Sequence, residues 1–510
     1  MFPSNASLLL PFDPITLSYV TALRGVTPRL PPDGFTYAEM GCGTAERLIL
    51  LAACNPEGVF FGFDPDLEKL SRAAQRAEQL QVRNVTFSQA GAVALKQAVD
   101  EGVIGAKCLG HLVYNEIGNP AREDIEALHD CALVLLQDNG VFAYRYQTYD
   151  EAQADALLFK QLTRQMLDAS ATEAFAKEWR QLAQLYLSSA PQLAEAFDKA
   201  LAQGKGVEWL RTISATDAKP SKTSRVGQVF AGKDLTLLGS ANLPANYLEL
   251  STPEVAHAPL NARRQHPLYE ALKDLAMNTS ERVDLWGREP LQRSDNLISL
   301  FGGFNFGTLQ TAERIARTVI FQGKSISFAS PLYDGILSLA TVMPVTMGDL
   351  VHHESLAGTD NLTLLNSVQL LVACGLLQPM RSSYDGGVDM DNAKLVGSYN
   401  RSLRGAKLDL QDYAFASVVT GRPVVFSGMN ALVLQALDKG GLEKIGVNLA
   451  TELMRLSSHP YLRPLSLNEP QRALDESVRQ IETAFHQSMV RWFSLGILQN
   501  EDAEAMRAAV

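Results

Sequence analysis

The segment Tyr37-Ala38-Glu39-Met40-Gly41-Cys42-Gly43-Thr44-Ala45-Glu46 constrains the fold more than any other: a strand gives way to a tight glycine turn and then to a helix. Gly41 and Gly43 permit positive φ and a close approach of backbone to a ligand. Taken alone, the turn fits two readings, a ligand-holding loop and a plain strand-to-helix connection.

From Phe35 to about Tyr149, short apolar runs alternate with helical stretches, the pattern of a doubly wound parallel sheet. Strands are expected at 35–40, 59–64, 85–87, 109–115 and 141–146. Asp66 reads as the N-cap of a helix with Leu67, Leu70, Ala74 and Ala77 on one face, and a helix over 122–136 is expected to stop at Asp138-Asn139-Gly140. After Asp150 a shift to Ala, Gln, Leu and charge predicts two or three helices up to about Arg211. Residues 213–260, rich in Ser, Thr, Pro, Gly and Lys, read as loop or exposed connector.

Further on, Gly323, Pro331, Gly335 and Pro344 stand too close together for one long helix. Leu362, Leu365, Val368 and Leu371 make a helical face that ends at Gly375 before Leu376-Leu377, an order resembling a winged helix. The stretch 362–380 holds no charged residue, so it lacks the basic side chains that neutralise phosphates. The expected architecture is α/β, with a doubly wound Rossmann-like sheet over 1–150 followed by mainly helical domains. These are a helical region and connector over 151–245, then 246–340, then 341–510 with the winged-helix-like segment.

The next strand, Val59-Phe60-Phe61-Gly62-Phe63-Asp64, ends in an acid where a second-strand carboxylate can accept both ribose hydroxyls of a nucleoside cofactor. Asp64 as a turn or capping residue is the alternative. Charge narrows the cofactor. A dinucleotide fingerprint needs its third glycine where this chain has Glu46, and a carboxylate in the first helical turn repels a pyrophosphate. S-adenosylmethionine has no phosphate, and its sulfonium and ammonium are cationic, so Glu39, Glu46 and Asp64 suit it better than they suit NAD. The absence of a G-x-x-x-x-G-K-[ST] motif argues against a P-loop.

Together these segments resemble the class I S-adenosylmethionine-dependent methyltransferases, and more narrowly the bacterial subgroup with a methyltransferase regulatory domain, which includes rickettsial protein-lysine methyltransferases. The likeness begins at Glu39-Met40-Gly41-Cys42-Gly43, similar to the family's acid-x-Gly-x-Gly motif, and runs through Ala52-Ala53-Cys54-Asn55-Pro56 to Gly62-Phe63-Asp64. It returns at Tyr146-Gln147-Thr148-Tyr149, which looks like the family's Tyr-Asn-Thr segment. Tyr247-Leu248 and Gly421-Arg422-Pro423-Val424 look like pieces of its regulatory and C-terminal parts. The resemblance implies a methyltransferase domain over 1–150, a regulatory domain over 246–340, and S-adenosylmethionine held by Glu39, Gly41, Cys42, Gly43, Asp64, Ala90 and Asn115. Two departures stand out. Gln89-Ala90-Gly91 occupies the place of an acid that often recognises the adenine amino group, and Gly110 and Asn115-Glu116 replace the Asp and His-Gly of the subgroup's fourth strand.

Methyl transfer is an in-line displacement, so a protein has mainly to align a neutral nucleophile and exclude water. Candidate positioning residues lie at the ends of strands four and five: Tyr114, Asn115 and Glu116, then Tyr146 and Tyr149. Asn115, Tyr146 and Tyr149 are the expected catalytic set. Tyrosine hydroxyls would hold a lysine amine or an alcohol and Glu116 would take a proton, while the competing reading has the strand-end tyrosines simply packing. Asn115-Glu116-Ile117-Gly118 is not the [DN]-P-P-[FYW] of methyltransferases acting on planar nitrogens, which disfavours adenine and glutamine amide. Four readings result: transfer to lysine or another protein side chain, transfer to a small molecule or glycan, a non-catalytic scaffold with a degenerate cofactor pocket and, last, NAD-dependent oxidoreduction.

The chain has 510 residues, long enough for several cores, and its net charge of -11 offers no positive field to gather nucleic acid. Five scattered cysteines without C-x-x-C give no zinc pattern and suit a reducing cytoplasm. His352-His353, with Asp349 at helical spacing, reads as a surface cluster rather than a metal site. The first residues have no basic leader character, and Asn366, Ser367, Gln369 and Gln378 interrupt the uncharged stretch 361–380. The expectation is a cytoplasmic protein without membrane insertion, acting on a protein substrate, with a homodimer among its possible states.

Overall fold

The computed structural model describes residues 10–28, 34–115, 122–148, 157–215, 222–230, 234–311, 314–321, 324–384, 386–389, 391–456, 478–479, 481, 485 and 488–500. Its central element is a seven-stranded sheet of β1 (Thr36–Met40), β2 (Val59–Asp64), β3 (Val85–Gln89), β4 (Leu109–Asn115), β5 (Leu136–Gln147), β6 (Leu235–Ser240) and β7 (Glu281–Arg288), in the order β3-β2-β1-β4-β5-β7-β6. The β1–β2, β2–β3 and β4–β5 pairs are parallel, and β7 runs antiparallel to both β5 and β6. Short strands follow at β8 (Asn305–Gly307), β9 (Thr318–Phe321), β10 (Lys324–Ser327), β11 (Val345–Thr346) and β12 (Gln378–Met380), paired as β11-β8-β12 and β9-β10.

The five strands expected from the apolar runs are all present. β6 was hidden by composition. The stretch 213–260, expected to be loop, contains the helix Lys222–Phe230 and then β6. Its polar letters mislead because Lys222, Thr223 and Ser224 are buried in the fold and Thr223 Oγ1 donates to the Asp274 carboxylate at 2.6 Å. The turn expected at Asp138-Asn139-Gly140 falls inside β5, where Asn139 takes φ 62.

The chain divides into two compact units, Met1–Ala90 with Arg293–Arg317 and Phe328–Val510, and Gly91–Gln292 with Thr318–Ser327. In the first, the helix Glu46–Cys54 joins β1 to β2, and Leu67–Gln79 joins β2 to β3. Asp66 caps the latter by accepting from the N–H groups of Glu68 and Lys69. Its buried face is Leu70, Ala73 and Ala77; Leu67 and Ala74, expected to be inside, are exposed. Leu67 is the first helical residue, directly after the cap, and points to solvent before the apolar stripe begins. The helix Asn361–Ala373 and then β12 give the expected helix-then-strand order, with Gly375 at φ 75 between them. A large apolar core in the C-terminal part gathers around Phe415, Leu432, Phe493 and Trp492.

Within 157–213 of the second unit, the four helices of eight or more residues (Leu157–Met166, Glu173–Leu182, Pro191–Ala202 and Gly206–Ile213) exceed the two or three expected there. They enclose a core around Phe159, Trp179, Phe197 and Leu272. Among the described residues, no helix is long and apolar enough to cross a membrane.

Candidate cofactor and active site

Leaving β1, the chain turns through Gly41 (φ 68) and Gly43 (φ 56), and Ala45 (φ 54) is left-handed at the start of the next helix. The N–H groups of Gly41 and Cys42 donate to the Phe63 carbonyl at 2.8 and 3.1 Å, and Gly43 N–H donates to Asp64 Oδ2 at 2.8 Å. The loop is thereby fastened to the end of β2. A Cβ on Gly43 would meet nothing within 4 Å, so open space adjoins this backbone. Gly62 is the opposite case, because a Cβ there would lie 2.7 Å from Phe87 and 3.0 Å from Cys42 Sγ and Leu48.

Asp64 is only 6% exposed, with Oδ1 accepting from Asp66 N–H at 2.9 Å and Oδ2 from Gly43 N–H. Each oxygen keeps a lone pair for a further donor. The Ala90 N–H donates to the Asp64 carbonyl at 3.2 Å, and Gln89 Nε2 donates to the Pro65 carbonyl at 2.9 Å, so the end of β3 is tied to the end of β2.

Glu39 pairs through its carboxylate with Arg47 at 2.5 Å, both side chains being buried, and the guanidinium lies 4.6 Å from the centre of the Phe12 ring. Burial pushes the Glu39 pKa up against the pull of Arg47. Part of the charge expected to face a cofactor is thus balanced by an arginine of the following helix. Burial, with Glu39 and Asp64 adding to it, pushes the Cys42 thiol up to about 12. Arg47 was missed in the sequence, although a lone cation in the apolar helix Glu46–Cys54 was the signal.

These residues fit an adenosyl cofactor. A buried carboxylate with spare acceptor capacity and an unobstructed glycine backbone suit ribose hydroxyls and a methionine moiety. Glu46, in the first turn of the helix behind the loop, does not suit a pyrophosphate.

In the second unit, Asn115 ends β4 and its Oδ1 accepts from Arg145 Nη1 at 2.9 Å, while Arg145 also pairs with Glu281. Tyr114 packs on Tyr144 with ring centroids 5.7 Å apart. Tyr146 is fully buried, and its hydroxyl donates to Asp284 Oδ2 at 2.6 Å. Burial and then Asp284 raise its pKa well above the ordinary value, so its proton stays on that bond. What it has left for a ligand is an acceptor oxygen. Glu116 and Tyr149 lie outside the described residues.

Tyr146 opens onto a buried charge network that sequence reasoning did not find. Arg282 donates to Asp284 Oδ1 at 2.8 Å, to Asp274 Oδ1 at 2.7 Å and to Glu270 Oε2 at 2.8 Å. Burial pushes Asp274 up to about 6, whereas Arg282 and Lys273 overcome burial at Glu270 and hold it at about 2. Asp349 serves a capping box with Thr346, and His352 and His353 bond locally to Gly348 and Ser355.

Residues 32–184 match the family described as a methyltransferase domain, and residues 215–288 match the family described as a predicted methyltransferase regulatory domain. A tRNA (guanine-N(7)-)-methyltransferase of Chloroflexus aggregans is 38% identical over 66 residues, which is 13% of this chain and 30% of that protein; the match spans under a third of that relative. The uncharacterized protein sll1526 of Synechocystis is 19% identical over 84% of both chains. Among solved structures, PKMT2 from Rickettsia typhi in complex with AdoHcy aligns with a TM-score of 0.62 at 14% identity, covering 96% of this chain and 98% of that one. That likeness is one of fold along nearly the whole length.

Proposed function

We propose that this chain, in which a match to a methyltransferase domain is followed by a match to a methyltransferase regulatory domain, is an S-adenosylmethionine-dependent methyltransferase that transfers the methyl group to a protein side chain, lysine first among them. The observation that carries the reading is the buried Asp64 carboxylate, locked to Gly43 N–H at 2.8 Å beside open space at the glycine loop. S-adenosylmethionine, when bound, supplies an electrophilic methyl on a sulfonium. The chain's own part is to hold and orient: Asp64 takes ribose hydroxyls, and the backbone of residues 41–43 lies along the methionine end. By the sequence resemblance Ala90 belongs to the adenine side, and Asn115 and Tyr149 are the candidates for aligning an acceptor. Tyr146, on β5, is fixed by its hydrogen bond to Asp284 on β7. The resemblance to rickettsial protein-lysine methyltransferases supports a protein acceptor. A net charge of -11 speaks against tRNA, despite the short local likeness to tRNA methyltransferases.

The test is incubation of a cell lysate with methyl-labelled cofactor and the full chain, followed by separation of protein from small molecules. Label in lysine residues of protein is the expected result. Label confined to small molecules or glycans would move the acceptor class, and no label despite cofactor binding would point to a scaffold.

A further inference from the structure

Outside both matched domains, the first unit holds a buried cation with no anion. Arg491 is 6% exposed, yet its acceptors are neutral: the Thr341 carbonyl at 3.3 Å, Ser494 Oγ at 3.2 Å and Thr308 Oγ1 at 3.0 Å. The Thr341 carbonyl lies in the last turn of the helix Pro331–Val342, whose negative end offsets part of the charge. Nε has no hydrogen-bond partner, and among the described residues no carboxylate pairs with this guanidinium. Of five N–H donors, three go to these oxygens, leaving Nε–H and one more. Burying an unpaired charge and an unmade donor together is costly. Burial duly lowers the arginine's pKa to about 10.

Arg491 lines a cavity of about 730 Å³ whose walls include Val342, Met429, Val433 and Trp492, with the exposed Arg314 also lining it. That volume lies in the range that holds a small organic ligand, and the walls are mixed, with the apolar Val342, Met429, Val433 and Trp492 beside the cations Arg491 and Arg314. We propose that this cavity binds an organic carboxylate with an apolar body, the carboxylate pairing with Arg491 and the body lying against Val433 and Trp492. A guanidinium takes a carboxylate through its N–H donors, and the anion would supply the charge that the neutral oxygens around Arg491 do not. The apolar residues among the walls give an organic body contacts that a bare inorganic anion would not make. The site lies outside both matched domains.

Calorimetric titration of the full chain with octanoate, 3-phenylpropanoate and octan-1-ol tests this, the two acids separating an aliphatic from an aromatic source. At least one acid is expected to bind tenfold or more tightly than the alcohol. Arg491→Gln should erase that preference, and Val342→Trp, at an exposed wall residue outside the core, should weaken the acid at least tenfold by narrowing the cavity. Equal affinity for acid and alcohol, a preference that survives in R491Q, or unchanged acid binding in V342W would each overturn the proposal. V342W keeps the test decisive should R491Q fail to fold.

Discussion

The Gly43 N–H donates to Asp64 Oδ2 across 2.8 Å, so the glycine turn after β1 and the acid at the end of β2 form one rigid piece. This piece separates two kinds of glycine. Gly43 has φ 56 with open space where a Cβ would stand, whereas Gly62 is packed against Phe87, Cys42 and Leu48. Gly43→Ala should therefore cost only about 1–2 kcal/mol of backbone strain while weakening cofactor binding. Gly62→Ala overpacks the core and should cost about 1–3 kcal/mol with a further loss of loop order. Denaturant midpoints and cofactor titrations on both variants check this; stability loss in Gly43→Ala without loss of affinity would contradict it.

The pair of Glu39 and Arg47 is buried, so its removal is asymmetric. Arg47→Met leaves a buried carboxylate without a partner and should destabilise by about 3–5 kcal/mol. The double variant Glu39→Gln with Arg47→Met should recover most of that loss. Equal stabilities of the single and double variants in urea would show that the pair is not coupled.

Asp274 sets a direction for the pH dependence. Burial holds its folded-state pKa near 6, above the ordinary carboxylate value, so the folded chain binds that proton more tightly than the unfolded chain. The stability it contributes is complete below about pH 4 and is lost as pH rises through about 6. Asp274→Asn, which resembles the protonated form, should flatten that fall in a series of thermal melts. An unchanged slope would remove Asp274 as its source.

Burial pushes Cys42, Cys54 and Cys131 to about 12, so none carries appreciable thiolate near neutrality. Iodoacetamide should label Cys108, the one that is only half-buried, before these three in the folded chain, and all of them after denaturation. Mass spectrometry reads the order directly. Rapid labelling of Cys42 in the native state would mean that the loop opens.

Much of the site was legible because local chemistry spells it out. Glycines at 41 and 43 read as a turn with positive φ, and the acid closing an apolar run read as the end of β2. What the sequence concealed depends on pairing across distance. Nothing local to Glu39 announces the Arg47 that pairs with it, and nothing local to Tyr146 announces the Asp284 to which its hydroxyl donates. The helix Lys222–Phe230 was unreadable for a related reason: its polar residues are buried by partners more than forty positions away, as with Thr223 and Asp274. Periodicity reports which face is apolar, and it is silent when a buried face is polar and satisfied.

Calorimetric titration of the wild type and Asp64→Ala with S-adenosylhomocysteine and with NAD tests the central claim most directly. Removing a buried charged acceptor from ribose hydroxyls is worth about 1.5–3 kcal/mol, or roughly tenfold to a hundredfold in affinity. The account predicts that S-adenosylhomocysteine binds the wild type, that Asp64→Ala weakens it by that factor, and that NAD does not bind. Binding of NAD alone, or equal affinity of both chains for S-adenosylhomocysteine, would contradict it.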